Sequence, residues 1–184
     1  MKKPPLDVQA ASRVASFITL AEVQFLHLSI AYITQQQESS PSGSLSWDMM
    51  PVVANWHRVD LQVLAVLEFG VNIHVLDESD PESRIRIADA AVTLRLEYSL
   101  KSDVEVLDDD LDDFVGVSGY MHAWPYLRAE IQSLTTKIGL PPLLLPVQLS
   151  GHAASAVTVV RAADLQAALG DQKSAIKQLL PTAG

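Results

Sequence analysis

The chain has no cysteine in its 184 residues. Disulfide frameworks, zinc–thiolate sites and cysteine nucleophiles are therefore excluded, and nothing in the sequence requires an oxidising compartment. A run of about 18 apolar residues, the length of a membrane-spanning helix, is also absent. Two lysines near the start, Lys2 and Lys3, are not followed by the apolar core of a signal peptide. We therefore expect a cytoplasmic protein without membrane insertion.

Basic residues are few and scattered. Lysine and arginine number 13 against 22 aspartates and glutamates, which gives a formal net charge of −9. Because no cluster of Lys and Arg offers a footprint for phosphates, nucleic acid is not an expected partner. Hydrophobic residues make up 48% and charged residues 19% of the chain, the proportions of a folded rather than a disordered protein.

Catalytic and cofactor motifs are missing as well. There is no phosphate-binding Walker loop, no GxGxxG after a strand and no GxSxG elbow. The five histidines do not fall at metal-ligand spacing. Five aspartates between Asp108 and Asp113 lack the Asp-x-Asp-x-Asp-Gly spacing of a calcium loop and are typical of a helix start. We expect no catalytic residues, no metal and no cofactor, which favours a binding protein over an enzyme.

Apolar and polar residues alternate in three long segments, 20–33, 61–76 and 88–100. This period of two predicts β-strands, and strands joined without helices predict an antiparallel sheet covered on one face. The alternation changes phase within the first segment and again just before the third, which predicts a bulge at each place. In the second segment, Leu64 and Val66 are apolar on the otherwise polar face.

Two stretches have the period of a helix. Residues 6–17 include Asp7 as a cap, and residues 121–138 carry an apolar stripe that ends at Gly139. The stretch LSWDMMPVVANWHRVD, with its proline and two tryptophans, is interpreted as irregular or edge structure. Residues 153–160 resemble a short strand, and a helical tail follows them.

These patterns predict an α+β fold, in which an antiparallel β-sheet of about four long strands packs with one long helix. Extra helices are expected at the N-terminus and the C-terminus. We assign residues 1–150 to one domain and residues 151–184 to a partly helical C-terminal tail.

A row of apolar side chains follows the second helix on a segment stiffened by Pro141 and Pro142. Its members are Leu140, Leu143, Leu144, Leu145 and Val147. Such an extended segment cannot cover these side chains with its own backbone, so they must enter a groove, a partner subunit or a ligand.

The sequence from Trp124 to Leu149, WPYLRAEIQSLTTKIGLPPLLLPVQL, resembles the signature of the SecB family of protein-export chaperones. The matching pieces are Pro125, Tyr126, Arg128, Glu130, Lys137 and the segment from Leu140 to Pro146. The order of strands, acidic stretch, helix and proline loop agrees over residues 14–149. The N-terminal helix and the long acidic stretch are more similar to the SecB-like chaperones of toxin–antitoxin modules.

The resemblance implies an ATP-independent holdase that binds unfolded or extended polypeptide, for protein export or for control of a toxin–antitoxin system. It implies a cytoplasmic homotetramer whose clients are preproteins or an antitoxin. The client-binding groove would be lined by Leu64, Val66, Trp124, Tyr126, Leu140, Leu143, Leu145 and Val147. An acidic face with Glu22 and Glu97 would contact the motor SecA, as it does in exporting members of the family.

A second interpretation belongs to another class of protein. An α+β module could bind a small apolar ligand or lipid between its sheet and its helix, with the proline–leucine segment as a lid. Apolar residues on both faces of the second long strand favour the chaperone, because a sealed ligand cavity does not need them.

Overall fold

The computed structural model describes residues 6–33, 44–76, 84–146 and 157–161. These residues form a six-stranded sheet with helices packed on one face. The strands are β1 Ile18–Tyr32, β2 Leu45–Met49, β3 Val52–Val59, β4 Gln62–Leu76, β5 Arg84–Leu100 and β6 Val157–Arg161. The helices are α1 Val8–Ala15, α2 Asp108–Phe114 and α3 Tyr120–Lys137, with a π-helical turn, Val115–Gly119, joining α2 to α3.

The sheet has the order β1-β5-β4-β3-β6, and β2 pairs with the part of β4 that β3 leaves free. All pairs are antiparallel except β3 with β6. The predicted α+β class is confirmed, but the expected number of about four strands is wrong. The two short strands, β2 and β6, have only five residues each. β6 falls on the short strand predicted at residues 153–160, whereas β2 was not recognised because five residues carry too little alternation.

The tryptophan-rich stretch forms β2 and β3, separated at Met50 and Pro51. The backbone N–H of Met50 still donates to the carbonyl of Gly70, at 2.9 Å. Since proline cannot donate to a ladder, the strand is interrupted here and then resumes along the same side of β4. The two strands therefore act as one broken strand beside β4.

The three long strands confirm the predicted segments, and both predicted bulges are present. In β1 the register shifts between Leu20 and Glu22 and between Phe25 and His27. The pairing of β4 with β5 shifts after Ile73, where Ile87 is skipped. Each shift turns the following side chains to the other face, which explains the phase changes in the sequence.

The core lies between the sheet and the helices. Leu67 of β4 and Leu94 of β5 are fully buried, as are Leu127 and Ile131 of α3. Burial of each such side chain contributes about 1.5–3 kcal/mol. The other sheet face carries most of the charged residues of β4 and β5 and is called the open face below.

Both predicted helices are present. Asp7 caps α1, its carboxylate accepting from the backbone N–H of Gln9 at 2.8 Å. The long helix starts earlier than expected, because the aspartates begin α2 and the π-helical turn carries the chain into α3. These aspartates lie near the positive end of the helix dipole, as predicted.

The segment beyond residue 150 contributes β6 to the sheet. The helical part of the predicted tail lies outside the described residues, and the division into two domains stays a prediction. In the part of the chain that the structure describes, no helix has the length and apolar character needed to cross a membrane.

Candidate functional site

The proline segment, residues 141–146, runs extended beside α3. It begins after Gly139, whose positive φ of 81° ends the helix and reverses the chain. The backbone N–H of Leu140 donates to the carbonyl of Thr135 at 3.0 Å, which closes the end of the helix. Gly139 therefore has the role predicted for it.

Three side chains of α3 hold the backbone of the proline segment. Trp124 Nε1 donates to the carbonyl of Pro146 at 2.9 Å, and Arg128 Nε donates to that of Leu145 at 2.6 Å. Thr135 Oγ1 accepts from the N–H of Leu143 at 3.1 Å. The three residues are spaced by four and seven, so they lie on one side of the helix. Arg128 thus fixes the segment in position.

The held segment divides its leucines between two sides. Leu143 and Leu145 are buried in the core together with Leu140, whereas Leu144 is 62% exposed. An extended backbone turns successive side chains to opposite sides, which explains the alternation. Most of the predicted apolar row is therefore covered by the chain itself.

The other predicted groove residues lie in three different places. Trp124 is buried, and Tyr126 is 40% exposed, its ring in a T-shaped contact with that of Phe25, the ring centres 6.5 Å apart. Leu64 and Val66 are half-buried on the open face, which the helices do not cover. Val147 lies outside the described residues. The structure thus brings the buried residues together but not the whole set, and client contact by them stays a prediction.

A cavity of about 340 Å³ lies between β2 and the proline segment. We call it the edge groove; it is lined by Ser44, Leu45, Trp47, Pro141, Pro142, Leu143 and Leu144. Leu143 belongs to the predicted set. Leu45 and Trp47 were missed, although their spacing of two places both on the same side of a strand.

The backbone of β2 offers a second feature at the edge groove. This strand pairs with β4 on one side, and no described strand pairs with its other side. An unpaired strand edge carries free N–H and C=O groups in a row. An apolar groove beside such an edge can hold an extended polypeptide through its backbone and through alternate side chains.

The two predicted acidic residues are brought together. Glu22 of β1 and Glu97 of β5 are direct cross-strand partners on the open face. Arg95 Nη2 lies 3.9 Å from the carboxylate of Glu97 and offsets part of the repulsion between the two acids. The pair is a negatively charged spot on this face.

The three titratable groups whose pKa is shifted by burial, Tyr98, Tyr120 and His122, do not line the edge groove. Tyr98 Oη is 3.1 Å from His122 Nδ1. Burial raises the pKa of Tyr98 and lowers the pKa of His122, and it raises the pKa of Tyr120 to about 12. Among the described residues no three acidic or histidine side chains are grouped closely enough to hold a metal ion.

No protein-family model and no curated protein matches the sequence. The fold is similar to that of a SecB-like chaperone from Mycobacterium tuberculosis, solved in complex with a ChAD peptide from the HigA1 antitoxin. The TM-score is 0.63 at 15% identity, over 77% of this chain and 98% of that chain. A Streptococcus agalactiae protein of unknown function has a TM-score of 0.33 at 5% identity, over 70% of this chain and 96% of that one. The second likeness is too weak to indicate a shared fold.

Proposed function

We propose that this chain, which has the fold of a SecB-like chaperone, is an ATP-independent holdase that keeps extended polypeptide bound in the edge groove. One observation carries the proposal: the groove combines apolar walls with a backbone edge of β2 to which no described strand pairs. A binder of many sequences needs these two features, because backbone pairing does not depend on client side chains.

The packing between sheet and helix favours a polypeptide client over a small apolar ligand. That region is filled by fully buried side chains, among them Leu67, Leu94 and Leu127. The edge groove instead lies at the margin of the sheet, beside the half-buried Trp47 and the exposed Leu144. A chain of any length can pass through such a groove. We therefore place client contacts at Trp47, Leu143 and Leu144, with Trp124 and Leu145 supporting the wall from inside.

The client class follows from charge and from the structural neighbour. A net charge of −9 favours client segments that carry Lys and Arg. The neighbour holds an antitoxin peptide, which supports an antitoxin as the client. Preproteins are the client class in the export alternative, where SecA would contact Glu22 and Glu97. A cytoplasmic location fits both roles.

The proposed assembly is a homotetramer that pairs through β1. This strand has 15 residues and pairs only with β5 among the described strands. Leu26 and Leu28 are 49% and 39% exposed along it. A long apolar edge of this kind is a template for pairing with another chain, and a second copy is the simplest partner.

Leu144 gives the most direct test of the proposed function. We expect Leu144→Ala to weaken binding of an unfolded client about tenfold, or about 1.4 kcal/mol, without changing the melting temperature. Leu107→Ala is the matched control, because Leu107 is also 62% exposed but lies before α2, away from the groove. Affinity is measured by fluorescence anisotropy with a labelled unfolded client, in the absence of nucleotide. Equal affinities for the two variants, or a strict need for ATP, would contradict the proposal.

A further inference from the structure

The edge of β3 is occupied by a segment of the chain itself. β6 pairs with β3 in parallel, from Val52 opposite Val157 to Trp56 opposite Arg161. Since β2 and β3 follow one another along the same side of β4, they share one outer edge. That edge is unpaired at β2, among the described strands, and covered at β3. The open edge at β2 therefore continues into the edge of β3, a binding position that β6 already occupies as an extended segment.

Two side chains anchor β6. Val159 is buried against Gly116, where a Cβ atom would lie 2.9 Å from the valine methyl. Arg161 Nη2 donates to Asp112 Oδ2 at 2.9 Å and also to Asp109. The remaining residues of β6 are half-buried or exposed.

The carboxylate that receives Arg161 is itself buried. Asp112 also accepts from the indole N–H of Trp56 at 2.7 Å. This arrangement places a negative, hydrogen-bonded pocket two residues beyond an apolar recess at Gly116. Both are features that recognise side chains, and both lie along a strand edge that recognises backbone.

We propose that the β3 edge is a second binding segment for extended client polypeptide, covered in the free protein by β6 and controlled by the Arg161 contact. The inference rests on the proposed function, since the client enters at β2 and continues along the same edge when β6 leaves. Pairing of only five residues, in the less stable parallel orientation, makes β6 replaceable.

The side chains along the β3 edge define which client sequence can bind there. The recess at Gly116 accepts an apolar residue, and Asp112 with Asp109 accepts an arginine two positions later, as Val159 and Arg161 do now. The preferred client sequence is therefore an apolar residue, any residue and arginine, in an extended segment. Arginine suits the pocket better than lysine because its planar group donates to two carboxylates at once.

The test compares two labelled peptides on the full chain. A short peptide has six alternating apolar residues and fills the edge groove alone; a long peptide of 14 residues adds the apolar-x-Arg sequence. We expect wild-type protein to bind both equally. Arg161→Gln should bind the long peptide about tenfold more tightly and the short one unchanged. Replacing the peptide arginine by glutamine should remove this gain.

Control variants distinguish loss of the Arg161 contact from a general loss of fold stability as the cause of a change in affinity. Arg13→Gln removes an exposed ion pair with Asp110, at 3.5 Å, and should leave both affinities unchanged. If Arg161→Gln does not fold, Arg161→Gln with Asp112→Asn removes both charges, and the amide oxygen of the introduced asparagine still accepts from Trp56. That variant should gain affinity for the long peptide regardless of the peptide arginine.

A disulfide supplies the reverse experiment within one protein. The chain has no cysteine, so Val53→Cys with Thr158→Cys, placed at paired positions of β3 and β6, forms a single bridge. Combined with Arg161→Gln, the oxidised protein should lose the gain for the long peptide and regain it on reduction. A gain that survives oxidation, or no gain in any variant, would overturn the inference while short-peptide binding stays intact. Failure of the short peptide to bind wild type would instead overturn the proposed function.

Discussion

The two outer edges of this sheet differ in whether another segment of the chain covers them. At one side β1 pairs only with β5 among the described strands, and it exposes Leu26 and Leu28. At the other side β3 is covered by β6, which a buried valine and an arginine hold in place. One edge is long and apolar; the other is covered by the chain's own residues at β3, while no described strand pairs with it at β2.

This difference separates the two tasks that an exposed strand edge performs. An edge meant for an identical copy is complementary to itself and needs no cover once the oligomer has formed. An edge meant for varied clients would capture any chain, so a short internal strand protects it. Under the proposed function, β1 would therefore serve assembly, and the edge shared by β2 and β3 would serve client binding.

The largest expected effect is loss of the tetramer when the exposed leucines of β1 are replaced. Wild-type protein should have about four times the chain mass of 20.0 kDa by light scattering. Leu26→Lys with Leu28→Lys should abolish the tetramer at micromolar concentration, since charges on an edge strand oppose pairing. Both residues are exposed, so the free energy of unfolding of one subunit should change by less than about 0.5 kcal/mol for each.

A matched double variant checks that the position of the lysines matters. Val59→Lys with Leu107→Lys places the same charges at residues 54% and 62% exposed, away from β1. This protein should remain a tetramer. A monodisperse wild-type monomer, or a tetramer that survives the two lysines in β1, would remove the basis for the comparison of edges.

The second prediction concerns the wall of the client edge. Leu145 is fully buried, so Leu145→Ala should lower the free energy of unfolding by about 2–5 kcal/mol through lost transfer energy and a cavity. Binding of client per folded molecule should stay unchanged. Chemical denaturation with a parallel anisotropy titration separates the two quantities. If Leu145→Ala is stable but binds client weakly, Leu145 contacts the client directly, as predicted from the sequence.

The long elements were predictable because each repeats one signal many times. β4 alternates over 15 residues and is recognised with its partner β5, and even the bulges appear as phase changes. The caps at Asp7 and Gly139 follow from local backbone chemistry. Such features depend on neighbours in sequence, and the sequence contains them.

The candidate site was less predictable because it depends on contacts distant in sequence. Whether Leu143 and Leu144 point inward or outward is decided by Arg128 and Thr135, which fix the phase of the segment. Nothing in the leucine row indicates that phase. Pairing of β6 with β3 likewise brings together residues more than 100 positions apart, and five residues carry too little pattern to identify the partner.

The smallest expected effect concerns the region between the two edges, where His122 lies beside Tyr98 under the sheet. Burial lowers the pKa of His122 below its ordinary value of 6.5, so the unfolded chain binds its proton more readily than the folded one. The stability contribution of neutral His122 is therefore complete above pH 6.5 and is lost as the pH falls from 6.5 towards the lowered pKa.

Thermal melts at pH 7.5 and pH 5.5 check this. The melting temperature of the wild type should be lower at pH 5.5, and the decrease should be smaller in His122→Gln. His27→Gln is the control, because His27 lies exposed on β1 and should keep the wild-type drop. If the melting temperature of His122→Gln decreases as much as that of the wild type, the pH dependence of stability comes from groups other than His122.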